Sequence, residues 1–392
     1  MAKYLFGDLV REVKEKVDRN NNPYEYYIAG DHMDTDELHL LRRGIFEGSD
    51  VGPAFIRIFK PGQVLYGSRR TYLRKVAVAD FEGITANTTF VLESKDESIL
   101  LQRLLPFIMQ SERFVQYSIK RSKGSTNPYV LFSDLADYEV ELPNIETQKE
   151  LAELLWAMDS VKMSYNKLIT ATDELVKSQF IEMFGDPIKN PLGWPTMTLE
   201  QATEDIVSGQ CLNGDAGQLQ PGQKAVLKVS AVTYGVFDAN EYKVLRDIKQ
   251  IVKGIYPQKG DLLFSRANTR EYVGATALID QDYPDLMLPD KLWKLIFKQE
   301  IMPVFAKQFL SHPEVRKVLS AMATGTSGSM YNISMEKLKR LEIIVPNMNR
   351  QKEYIRFVDQ SDKSKFAVQS CSNLNLWSSL ECGIAFRKAG RK

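Results

Sequence analysis

Pro143-Asn144-Ile145-Glu146-Thr147-Gln148-Lys149-Glu150 returns as Pro346-Asn347-Met348-Asn349-Arg350-Gln351-Lys352-Glu353, with Pro, Asn, Gln, Lys and Glu in register at an offset of 203 residues (346 − 143). Five identities in eight positions mark a tandem duplication, and self-similarity at a long fixed period decides the fold before any local reading does. Working outward, Pro61-Gly62-Gln63-Val64-Leu65-Tyr66 answers Lys259-Gly260-Asp261-Leu262-Leu263-Phe264 at 198 residues (260 − 62), and Gly124-Ser125-Thr126 answers Gly325-Thr326-Ser327 at 201 (325 − 124). The order is the same in both halves. The drift in offset places short insertions in surface loops, where divergence is tolerated.

Each copy reads alike. Runs rich in Val, Ile, Leu, Tyr and Phe at 63–66, 90–92, 261–264 and 292–297 predict strands. Apolar residues at helical spacing predict helices over 107–120 and 305–322, each followed by a Gly, Ser and Thr loop and a last strand at 139–142 or 342–345. The expected fold class is α+β, with mixed α/β domains at 1–145 and 187–346.

Behind each Pro-Asn the texture changes. Leu151, Leu154, Met158, Val161, Tyr165, Leu168, Thr172 and Leu175 alternate steps of three and four, the seam of a coiled coil, and predict a helix over 146–184 that stops at Gly185 with Pro187 beyond. The second copy, over 350–380, has a weaker seam through Tyr354, Phe357, Val368 and Cys371, interrupted by Ser361, Asp362, Ser364 and Asn375. A narrow apolar stripe on so long a helix is unstable in water without a covering helix, so the segments 146–186 and 347–392 are expected to pair antiparallel. Two unrelated surface helices are the alternative.

A chain of 392 residues, 44% hydrophobic, exceeds what one core holds. Its 51 Lys and Arg against 50 Asp and Glu give +1, so any nucleic-acid surface must be local. Cys211, Cys371 and Cys382 are too few and scattered for a disulfide framework or a zinc site, which implies a reducing compartment. No run approaches the roughly 20 apolar residues that cross a bilayer, and the N-terminus lacks a signal-peptide core; the expected location is the cytoplasm, with no membrane partner.

The motifs that would carry catalysis are incomplete. Asn22-Pro23-Tyr24 and Asn127-Pro128-Tyr129 lack the second proline of an amino-methyltransferase turn and read as ordinary turns. Pro284-Asp285 and Pro289-Asp290 lack the acid-x-Lys that a nuclease places downstream to hold magnesium. His32, His39 and His312 have no partner at ligand spacing, and there is no phosphate-binding loop. The chain is expected to be non-catalytic, with no metal and no cofactor of its own.

Local basic and aromatic clusters remain. Ser68-Arg69-Arg70-Thr71-Tyr72-Leu73-Arg74-Lys75 carries four cations and a tyrosine with no acid, so Arg69, Arg70, Tyr72, Arg74 and Lys75 are candidates for DNA contact. The counterpart Ser265-Arg266-Ala267-Asn268-Thr269-Arg270-Glu271-Tyr272 offers Arg266, Asn268, Arg270 and Tyr272; Arg and Asn suit bidentate contact with guanine and adenine. A second pair of loops, with Lys120, Arg121, Lys123 and Ser125 in one copy and Ser327 and Tyr331 in the other, suits phosphate oxygens. Read alone, all four could be solvated turns.

Across nearly its whole length the chain resembles the specificity subunits of type I restriction-modification systems. The resemblance rests on Gln148-Lys149 and Gln351-Lys352 after each strand exit, and on Lys177, Ser178, Phe180, Met183, Phe184, Gly185, Asp186 and Pro187 at the central helix end. It also rests on Gly193-Trp194-Pro195 entering the second domain and on Lys259-Gly260-Asp261-Leu262-Leu263-Phe264-Ser265-Arg266. It departs from the family where Leu376 to Gly383 keep only an echo of that helix end, and where the helix many members carry before the first domain is absent or very short. The resemblance implies two target recognition domains on a bipartite double-stranded DNA target. It implies partnership with two modification subunits, which use S-adenosylmethionine to methylate adenine N6, and with ATP- and Mg-dependent restriction subunits that are motor-nucleases. The rival expectation is a duplicated protein-binding adaptor that dimerises through its helices.

Overall fold

The computed structural model describes residues 2–18, 21–47, 51–325 and 330–372. Two compact units divide within the central helix, between Tyr165 and Asn166.

In the first unit, an antiparallel sheet runs Val10–Val13, Thr89–Ser94, Val64–Gly67, Val76–Val78 in spatial order. A second sheet runs Gly44–Ile45, Tyr26–Ile28, Gly83–Ala86, Phe55–Phe59, with one parallel pairing between Tyr26–Ile28 and Gly83–Ala86. The second unit repeats the first sheet strand for strand as Thr203–Ser208, Leu292–Phe297, Leu262–Ser265, Thr276–Leu278. Its other sheet, Gly214–Asp215, Tyr242–Leu245, Ala225–Leu227, Leu286–Met287, again contains one parallel pair. A ribbon closes each domain: Ala2–Leu5 pairs antiparallel with Glu139–Leu142, and Thr196–Thr198 with Glu342–Ile344. Chain entry and exit therefore lie side by side. The turns at Gly62 and Gly260 adopt φ of +84° and +87°, conformations cheap only for glycine, which accounts for that part of the repeat.

Each predicted domain helix is two helices. Leu105–Gln110 gives way to Glu112–Arg121 at Ser111, whose hydroxyl accepts from the Phe114 amide; Pro303–Ser311 gives way to Pro313–Met322 at His312, whose ring accepts from the Glu314 amide. A cap inside an apolar periodicity is invisible to a reading of period alone.

The duplicated Pro-Asn-x-x-x-Gln run has a structural reason. Asn144 and Asn347 cap the helices that follow, accepting from the amides of Thr147 and Arg350 at 2.9 and 3.0 Å. Gln148 donates to the carbonyls of Ile99 and Pro143 at 2.8 and 3.0 Å and accepts from the Leu101 amide at 3.1 Å. Gln351 does the same with Glu300, Pro346 and Met302, at 2.8, 2.8 and 3.0 Å. Both side chains are buried. Each ties three things together: the strand exit, the long helix, and the segment leading into the paired domain helices.

The central helix spans Ile145–Phe184 and the later one Met348–Ser372. The buried stripe of the central helix differs from the expected seam. Leu154, Val161, Leu168 and Leu175 are exposed, each by half or more, while Leu151, Met158 and Tyr165 are partly covered. In the first unit the helix buries Gln148, Ala152, Leu155 and Asp159 against its domain. In the second it buries Val176, Phe180, Met183 and Phe184. Gln148 and Asp159 define the true stripe but are polar, so a search for apolar spacing passes to the neighbouring heptad positions. Within the second unit Phe180 and Phe184 surround Tyr354 with ring centroids 5.6 and 5.4 Å apart, and the Tyr354 hydroxyl donates to Val176 O at 3.1 Å. Lys365 pairs with Asp173. Numbers rise on one helix as they fall on the other, so these segments pair antiparallel. Phe357 packs against the same core. The side chains of Val368 and Cys371 and everything from residue 373 lie outside the described residues.

Gln351→Met keeps the side-chain volume but takes the partner from three backbone groups, Pro346 O buried and Glu300 O and the Met302 amide part-buried. Urea unfolding of the full chain is expected to show a loss of about 2 to 4 kcal/mol, as for Gln148→Met; a loss under 0.5 kcal/mol at both positions contradicts the lock.

Candidate nucleic-acid interface

In the first copy, strand Val64–Gly67 leads into a tight turn at Thr71–Leu73 flanked by Arg70 and Arg74, at φ of +50° and +51°. Left-handed backbone costs a non-glycine residue about 1 kcal/mol or more, so the turn must be held from outside. The Arg70 amide donates to Pro128 O at 2.6 Å, Thr71 Oγ1 lies 3.0 Å from Ser122 Oγ, and Arg69 and Lys123 both bridge Tyr129. The two candidate loops of this copy thus form one surface. Arg74 turns inward: its guanidinium meets Asp36 at 2.5 Å, Glu112 at 2.6 Å and Gln110 O at 3.0 Å. Lys75 donates to Gly30 O. Lys123 is paired with Asp134 at 2.7 Å, and Arg121 lies over the Tyr117 ring. Arg69, Arg70 and Lys120 are exposed and make no side-chain hydrogen bond or ion pair among the described residues; Tyr72, Ser125 and Tyr129 are exposed beside them.

The second copy repeats this frame with other side chains. Ala267–Asn268 pairs antiparallel with Tyr331–Asn332, again joining the two loops. Arg266 donates to Asp290 O at 3.1 Å and lies over Trp293. Asn268 donates to Thr233 Oγ1 at 3.0 Å, Arg270 is exposed beside the Tyr331 ring, and Tyr272 meets Tyr234 edge to face at 5.6 Å. Ser327 lies outside the described residues.

Sequence reading missed what positions this loop. Ser320 donates to Arg270 O at 3.2 Å and Arg316 to Glu271 O at 2.9 Å, both from helix Pro313–Met322. Gly274 occupies the position of Arg74, with φ of +81°, and a Cβ there would stand 2.9 Å from Arg316 Nη1. The loop supplies the clamping guanidinium in one copy, the helix in the other. The equivalence of Arg74 and Gly274 follows from the strands that come after them, Val76–Val78 and Thr276–Leu278; the pairing of Ser68–Lys75 with Ser265–Tyr272 sets Arg74 against Glu271 and hides it.

Sequence reading also assigned His39 no partner, yet Glu37, His39 and Asp159 bring one ligand-capable atom each within 4.8 Å of the others. His39 Nε2 lies 2.6 Å from Asp159 Oδ2, closer than the roughly 3.4 Å between two ligands of one tetrahedral ion. Glu37 accepts from the His39 amide at 3.0 Å. The set is a hydrogen-bonded clasp between the 37–39 loop and the central helix. The bond to Asp159 raises the imidazole above its ordinary value against the opposing effect of burial, with Glu37 and Asp80 adding to the field.

Two copies of one α+β domain, each presenting a joined pair of loops with at least one exposed cation, have the form of a tandem nucleic-acid reader. The family model described as the type I restriction modification DNA specificity domain matches residues 10–172 and 191–373. The specificity subunit of the type I restriction enzyme EcoKI from Escherichia coli strain K12 is 30% identical over 385 residues, covering 90% of this chain and 79% of that one. The HindI specificity subunit of Haemophilus influenzae is 23% identical, covering 90% and 80%. The S subunit of a type I system from M. genitalium shares the fold, with a TM-score of 0.51 at 13% identity over 96% of this chain and 95% of that one. The chain belongs to the type I restriction-modification specificity family, and its role is DNA recognition. Among the described residues, no helix is long and apolar enough to cross a membrane.

Arg316→Ala is expected to speed amide hydrogen exchange over 268–275 about tenfold, the loss of one charge-assisted hydrogen bond, and to leave the strand Thr203–Ser208 unchanged; unaltered exchange at Glu271 to Gly274 contradicts the clamp. The His39 clasp has a raised folded pKa, so its stabilisation is complete below the unfolded value of about 6.5 and fades as pH rises through the folded one. Between pH 6 and 9 the urea midpoint of the native chain is expected to fall relative to that of His39→Gln; parallel curves contradict it.

Proposed function

We propose that each domain reads one half of a split, asymmetric DNA target, the first through Arg69, Arg70 and Tyr72 and the second through Asn268, Arg270 and Tyr272. The observation that carries this is the shared frame: at equivalent positions of two sheets with the same strand order, a loop fixed by its own domain presents Arg69 and Arg70 in one copy and Arg270 in the other, and the neighbouring side chains differ. An equal frame with unequal side chains suits two different half-sites. Lys120, Arg121, Ser125 and Tyr331 lie on the adjoining loops and suit phosphate and sugar contacts, which set register without reading sequence. Arg74, Lys75 and Lys123 support the loops through their intramolecular partners, and Arg266, anchored on Asp290, is placed to brace Asn268.

The chain supplies recognition, while modification subunits supply S-adenosylmethionine-dependent methylation of adenine and restriction subunits supply ATP- and Mg-dependent cleavage. The domains are proposed to run over 1–145 and 187–346, with 146–186 and 347–392 as spacer segments. Family membership disfavours the adaptor reading, which gives the cationic loops no role.

The test pairs substitutions with an exchange, each assayed with the modification partner on a library of DNA sites. Asn268→Ala is expected to relax selection in one half-site, by about 1 to 3 kcal/mol for a lost bidentate contact. Arg69→Ala with Arg70→Ala is expected to affect the other half, and Lys120→Ala to weaken all DNA alike with a shallower salt dependence. Exchanging residues 195–345 for the matching domain of another family member is expected to alter one half-site only. A folded hybrid that changes both halves refutes the division.

A further inference from the structure

In the second copy a turn outside both loops reaches the same surface. Strand Ala225–Leu227 leads into the short helix Ser230–Thr233, and the chain then turns through Gly235 at φ of +78°. The turn is fixed from beneath: Val232 is fully buried, and the Gly235 amide donates to Val232 O at 3.2 Å. Thr233 accepts from Asn268, and the Tyr234 ring stands edge to face against Tyr272. Yet Tyr234 is 79% exposed and Val236 74%. A large aromatic side chain held out on a rigid turn, rather than folded back on the core, gains its burial from something that docks there.

The first copy shows that this geometry is not imposed by the fold. Its corresponding turn follows Tyr26–Ile28, has Asp36 at φ of +54° where Gly235 stands, and carries Asp34 and Asp36. Those acids hold Arg42 and Arg74. In the first copy the turn braces the loop; in the second Arg316 has taken over the bracing and the turn is free to present Tyr234. The ring lies among groups proposed to meet DNA, next to Tyr272, whose loop also carries Arg270, so the occupant is the DNA duplex and not a protein.

We propose that the turn from Thr233 to Val236 is a second reading element of the second recognition domain, with the Tyr234 ring lying against a thymine C5-methyl edge in the major groove. A flat apolar ring with a polar tip fits that methyl and the adjoining sugar, while Asn268 and Arg270 take the polar base edges. The inference rests on the loop assignment above.

The experiment uses the full chain with its modification partner, and duplexes in which single thymines of the second half-site are replaced by deoxyuridine. For the native chain, one or two replacements are expected to weaken binding about three- to tenfold. In Tyr234→Ala the same replacements are expected to have no effect, with the first half-site and random DNA bound as before; Tyr234→Phe should keep the native response. Because the ring is exposed, thermal unfolding should be unchanged. Native sensitivity to every replacement in Tyr234→Ala, or an equal loss on specific and random DNA, overturns the proposal. Asn268→Ala run in parallel separates the two assignments: unchanged selection there with an altered Tyr234→Ala profile refutes the loop and leaves the turn standing.

Discussion

A single amide side chain in each half, Gln148 or Gln351, is the constraint on which the rest of the architecture depends. Its three hydrogen bonds join the strand that leaves a domain, the long helix that follows and the segment before the domain's paired helices. Those are the helices whose second members, Glu112–Arg121 and Pro313–Met322, back the candidate loops. An apolar residue could fill the volume, but it would leave buried and part-buried backbone donors and acceptors without partners, and it would not fix the direction in which the helix departs. Glutamine is therefore required at a position that a hydropathy scale marks as surface.

The same property explains what was and was not legible in the sequence. The duplication was visible because the lock, the asparagine cap and the Lys/Pro-Gly turn each need a particular residue type in both copies. The strands at Val64–Gly67, Thr89–Ser94, Leu262–Ser265, Leu292–Phe297, Glu139–Leu142 and Glu342–Ile344, and the central helix to within a residue, followed from local pattern, whereas the short strands of each second sheet did not. The face of that helix did not, because Gln148 and Asp159 lie on the buried stripe through partners distant in sequence, Asp159 meeting His39 from 120 residues away. The breaks at Ser111 and His312 were lost for a different reason: apolar spacing runs on across both, and following it passes over Pro313, whose ring marks a new helix start.

The candidate interface was legible as loops but not as side chains. Counting cations in Ser68 to Lys75 treats Arg70 and Arg74 alike, although one is exposed and the other is enclosed by Asp36, Glu112 and Gln110. Composition cannot separate a cation that holds a loop from one that the loop presents. The distinction depends on acids and carbonyls that only tertiary structure brings near, and Tyr234, in a turn with no cation at all, gave no compositional signal.

The exchange of roles between Arg74 and Arg316 bears on how such a chain can diversify. If a loop shaped like the first copy's were transplanted by itself into the second, its arginine would arrive where Arg316 already lies, and two positive charges would compete for one niche without Asp36 or Glu112 to neutralise them. The reverse transplant would bring Gly274 in place of Arg74, leaving the niche empty and Asp36 and Glu112 facing it without their cation. Loop and backing helix are thus a linked pair of characters, and viable recombinants should inherit both from one parent. Crossovers ought to fall at the Pro-Asn borders and not between a loop and its clamp.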